Sequence, residues 1–174
     1  MRAALLFGAV VTALGGGKEP EIVTQELTGS LGTFLHELDS DGYNLAVAGF
    51  FVNEKAQTQE ALATFKKLAA DKAESWLGDK AGRIDKVIFG WSTDAKMAQL
   101  NSCVNLGGGA QGWDDPPNYD VCVLTWQMHG KGPAQRNRMS DSKSMQGAEA
   151  SAQMLKWITD EAKAEIEDAE RLEL

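Results

Sequence analysis

Residues 43–52 read YNLAVAGFFV. A strand with one wet face alternates apolar and polar side chains, and this stretch does not. Apart from Asn44 it is apolar throughout, which fits a strand covered on both faces by other elements. Two further runs share this character: IDKVIFGW at 84–91 and YDVCVLTWQM at 119–128. Each is bounded by polar or turn-forming residues.

The segments between these runs carry helical periodicity. Upstream, Pro20 stands where a helix can begin, since its missing N–H is one the first turn leaves unused. Val23, Leu27, Leu31, Phe34, Leu35 and Leu38 then recur at three- and four-residue steps, and Asp41-Gly42 supplies a turn. Between the first two runs, residues 57–77 place Ala61, Leu62, Phe65, Leu68, Ala69, Ala73, Trp76 and Leu77 on one side, with Gly78 and Gly82 as a stop. Ser92-Thr93-Asp94 can cap a short helix over 95–106, which Gly107-Gly108-Gly109 ends. The last segment predicts the longest helix, its seam formed by Met145, Ala148, Ala152, Leu155, Ala162, Ile166 and Ala169 and broadened in the middle by Trp157 and Ile158. That spacing is close to a heptad, and its alanines favour packing within the chain over a coiled coil.

Helices alternating with buried strands imply parallel crossovers. The expected fold class is therefore α/β: a three-layer sandwich with a small, mostly parallel sheet of three or four strands and a long C-terminal helix. The three apolar runs are expected as neighbouring parallel strands. Residues 17–174 are read as a single α/β domain, a size ample for a core.

Residues 1–16 admit two readings. Met1-Arg2, the apolar run from Ala3 to Leu14 and the small-residue site Ala13-Leu14-Gly15 resemble a cleaved signal peptide. The competing reading is a first strand over residues 4–11 entering Gly15-Gly16-Gly17. The run is too short for a transmembrane anchor, so the mature chain is expected to have no membrane span. Cys103 and Cys122 follow this choice. In an exported or lumenal protein they form a disulfide; in a cytoplasmic one they are two small buried residues.

The net charge of −8 and pI near 4.8 argue against nucleic acid as a partner. From Asp160 to Leu174 seven acids face only Lys163 and Arg171, so much of the acidity belongs to the last helix. The partner expected is another protein or a small polar ligand. No pattern designates a cofactor, and no histidine or cysteine stands at metal-ligand spacing. Gly15-Gly16-Gly17-Lys18 is not a phosphate loop, because Glu19 takes the place of the required hydroxyl residue. Asp114-Asp115, beside Trp113 and Pro116-Pro117, reads as a solvated turn.

In a parallel sheet, ligands sit beyond the carboxyl ends of the strands, near helix N-termini. That rule selects Asn53, Ser92, Thr93, Asp94, His129 and Lys131 as candidate ligand-binding residues. It designates no catalytic set, and leaves open whether the chain is an enzyme. The leading functional expectation is an acidic binding or assembly protein without assignable catalysis. The alternative is a small enzyme or ligand sensor with a polar or anionic ligand at the strand ends. A third is a structural subunit of a large particle such as a virion.

Overall fold

The computed structural model describes residues 19–28, 44–100, 103, 117–129, 136–139 and 142–172. The expectations for residues 1–16, Gly15-Gly16-Gly17-Lys18, the helix beyond Thr28, Gly107-Gly108-Gly109, the Trp113–Pro116 stretch and Lys131 lie outside these residues.

In chain order the elements are β1 (Glu21–Glu26), β2 (Asn44–Phe51), α1 (Ala56–Ala70), α2 (Glu74–Leu77), a 3₁₀ turn (Gly78–Arg83), β3 (Lys86–Ser92), α3 (Ala95–Leu100), β4 (Val121–His129), β5 (Arg136–Met139), β6 (Lys143–Met145) and α4 (Ala150–Leu172). The strands form one sheet in the order β1-β3-β2-β4-β5, with β6 also paired to β4. β1, β3 and β2 run parallel, and β4 pairs antiparallel with β2, β5 and β6. The chain is thus a mixed α/β protein with a long C-terminal helix, and its described sheet is wider than three or four strands.

Every residue of β2 is buried. Its odd-numbered side chains Leu45, Val47 and Phe51 face α1, α2 and α4 in one core, with Phe65, Trp76, Phe89, Met154 and Ile158. Its even-numbered Ala46, Ala48 and Phe50 join a second core with Leu27, Ile88, Ala98, Tyr119, Leu124 and Trp126. Helices on both sides of the sheet give the three layers. In the first core Phe65 meets Phe51 and Phe89 edge-on, at centroid separations of 5.5 and 5.4 Å. Gly49 makes that cluster fit: a Cβ there would lie 2.9 Å from the rings of both Phe51 and Phe65.

Four expectations are corrected. Residues 21–26 are a strand, not the start of a helix. Ile22, Val23 and Thr24 are consecutive β-branched residues, and Ile22 and Val23 pack on opposite cores, which only a strand allows. β4 is a neighbour of β2 but antiparallel to it. β4 starts opposite the end of β2, Val121 against Phe51, at the edge where the parallel β3 also ends, so it runs back across the sheet. The helix expected over 57–77 breaks after Ala70, where Asp71 turns extended, and the restart brings Trp76 edge-on to Phe89 at 5.8 Å. In the final helix the buried line is Ala150, Met154, Ile158, Ala162 and Ile166, while Ala148, Ala152 and Leu155 are exposed and Met145 belongs to β6. A four-residue step, not a heptad, follows this helix across the sheet. Neither β5 nor β6 was expected as a strand; a strand of three or four residues gives too little periodicity to read.

A polar clasp at the strand ends

Beyond β2 the chain turns into α1 through Asn53 and Lys55. The Asn53 Oδ1 accepts the Lys55 N–H at 3.0 Å and the Thr58 hydroxyl at 2.5 Å, closing a local turn. Its Nδ2 donates to Asp120 Oδ1 at 2.9 Å. Asp120, just before β4, is the centre of the arrangement, with a side chain only 1% exposed. Lys55 Nζ lies 2.9 Å from the same oxygen. The second oxygen accepts the Gly147 N–H at 2.8 Å and the Gln57 amide at 3.4 Å. Gly147 holds a positive φ of 81°, a conformation glycine adopts without steric cost.

The backbone repeats these links. Val52 N–H donates to Asp120 C=O at 3.2 Å, and Asp120 N–H to Met145 C=O at 2.9 Å. One carboxylate therefore ties the β2–α1 turn, the start of β4 and the β6–α4 turn. Burial by itself would raise the Asp120 pKa, but the Lys55 ammonium, the Gly147 N–H and the Asn53 and Gln57 amides outweigh it. Together they lower it from 3.8 to about 2.

The candidates after β3 serve a cap. Ser92, 3% exposed, accepts the Asp94 N–H at 3.1 Å. Asp94 Oδ1 accepts the Lys96 N–H at 2.8 Å, and its carbonyl accepts the Ala98 N–H, as at a helix N-cap. Thr93 lies exposed between them. His129 stands apart from all of these. The β2–β4 register sets Phe51 against Val121 and Asn44 against Met128. His129 thus closes β4 at the edge where β2 begins, about 30 Å along the sheet from Asn53. The structure brings Asn53, Ser92, Thr93 and Asp94 to one edge and His129 to the other.

Asp120, Lys55 and Gln57 were not among the candidates. The readable signal was Asp120 itself, a lone acid in the apolar run YDVCVLTWQM, since a carboxylate is seldom buried unpaired. Its partners could not be read, because they come from positions 27 or more residues away. Two residues beyond, Cys122 is bonded to Cys103, with Cα atoms 6.0 Å apart. Among the described residues no group of three or more His, Cys, Asp or Glu could hold a metal ion. No helix of the described residues is long and apolar enough to cross a membrane.

No family model matches the chain, and no curated protein does. Among solved structures, it is similar to Trichomonas vaginalis thioredoxin at 15% identity and a TM-score of 0.41. That match covers 84% of this chain and 96% of that one.

Proposed function

We propose that the chain is a non-catalytic binding or assembly protein whose partner, another protein, meets the outward face of α4. The observation that carries this reading is the saturation of the strand-end edge. Both Asp120 oxygens are occupied by groups from two other segments, and Asp94 and Ser92 are spent on the α3 cap. An acid held at a pKa of about 2 is a poor proton carrier near neutral pH. These groups hold the fold together and offer little to a reacting molecule. α4, by contrast, presents Leu155, Ala164, Glu167 and Arg171 to solvent at different points around the side turned away from the sheet.

A photoreactive residue placed at Leu155, and separately at Thr93, tests the reading in the native host. A protein adduct from position 155 and none from 93 is expected. Labelling from 93 alone would favour a ligand site at the strand ends and sink the proposal.

The buried Cys103–Cys122 bond supports maturation in an oxidising compartment, and with it the leader reading of residues 1–16. The intact mass of native protein reads both at once. A cleaved N-terminus and a mass two hydrogens below the reduced chain are expected. A retained Met1 with two free thiols would refute it.

A further inference from the structure

Between β6 and α4 lies a groove of about 360 Å³, lined by Lys143, Met145, Gln153, Lys156, Trp157 and Asp160. Its walls are firmly placed. Met145, 2% exposed, is fixed by the pairing of β6 with β4. Trp157 is half-buried and extends from a helix anchored on either side by Met154 and Ile158, both fully buried. The floor is thus apolar and partly aromatic, while the rim carries charge.

That charge is uneven. Lys156 bonds Asp160 one turn along the helix, so this side of the rim is internally neutralised. Lys143 is exposed, and among the described residues its ammonium has no hydrogen-bond or ion-pair partner. The groove therefore joins a flat indole and a methionine thioether to a positive charge that no described residue compensates. A volume at the lower end of small-molecule sites suits one compact ligand and is too small for a folded domain. A planar ring would lie against Trp157 and Met145, and an anionic substituent would reach Lys143.

We infer that the groove between β6 and α4 is a binding site for a small planar organic anion, an aromatic carboxylate or sulfonate. This goes beyond the protein-partner reading and does not depend on it: the groove shares the exposed side of α4 through Lys156 and Asp160, but its ligand is a small molecule and its test reads the isolated chain.

Amide and indole NMR spectra of the full chain, titrated with naphthoate and with naphthalene methanol, test the site. Naphthoate is expected to shift Lys143, Gln153 and the Trp157 indole saturably. The neutral alcohol should bind at the same place about fivefold more weakly, the worth of one exposed ion pair. Lys143→Gln, a change at an exposed position, should bring naphthoate down to the affinity of the alcohol. Trp157→Ala should abolish both shifts, with the rest of the spectrum reporting that the fold survives. The inference is overturned if naphthoate gives no saturable shifts at millimolar concentration, or gives them elsewhere. Equal binding of acid and alcohol, or unchanged naphthoate binding by Lys143→Gln, overturns it as well.

Discussion

Asp120 and Thr125 lie five residues apart in one strand region and are equally hidden, at 1% and 0% exposure. Their surroundings are opposite. Asp120 is met by Asn53, Lys55, Gln57 and the Gly147 N–H, whereas the Thr125 hydroxyl has no hydrogen-bond partner among the described residues. Thr125 is paired across the sheet with Val47, in the middle of the helix-covered core. The charged group is the better accommodated of the two because it sits where β2 leaves the sheet and β4 enters it, and turns can supply donors. Burial alone does not set the cost of a polar group; the supply of partners does.

The largest effect is expected from breaking the clasp. Asp120→Ala leaves the Asn53 amide and the Gly147 N–H facing a void, and should destabilise the fold by about 3 kcal/mol. Asp120→Asn, which keeps one acceptor, should cost about half as much. Urea unfolding of both variants checks this. Equal stability of Asp120→Ala and the parent chain would mean that water replaces the carboxylate and that the clasp is not structural.

Acid titration sharpens the same contrast. Because folding lowers the Asp120 pKa from 3.8 to about 2, its stabilisation is complete above pH 4 and is lost as pH falls from about 4 to 2. A shift of this size corresponds to roughly 2 kcal/mol. Urea midpoints measured across that window should fall steeply for the parent chain and more gently for Asp120→Asn. Parallel curves would place the acid-sensitive group elsewhere.

The smallest effect, of opposite sign, is expected at the unpaired member. Thr125→Val keeps the β-branched shape and removes an unsatisfied hydroxyl, so it should be neutral or stabilising by up to about 1 kcal/mol. A thermal melt checks it, and a clear drop in Tm would reveal a partner for the hydroxyl.

The sequence by itself determined the α/β class, the three long strands, the helix across residues 57–70 and the long final helix. Each of these is written in local periodicity or in an unbroken apolar run such as YNLAVAGFFV. It also marked Asn53 and Asp94 as turn and cap residues, since short polar side chains after a strand bond the nearest backbone N–H groups. Only the tertiary structure decided that β4 runs antiparallel, that residues 21–26 pair with β3 as a strand, and that Leu155 faces solvent while Ala150 faces the core. Strand direction depends on where the preceding connection releases the chain, and helix phase on which face meets the sheet. The same reason hid the Asp120 clasp and sent His129 to the far edge. Both arise from contacts between residues distant in sequence, where no local pattern records the pairing.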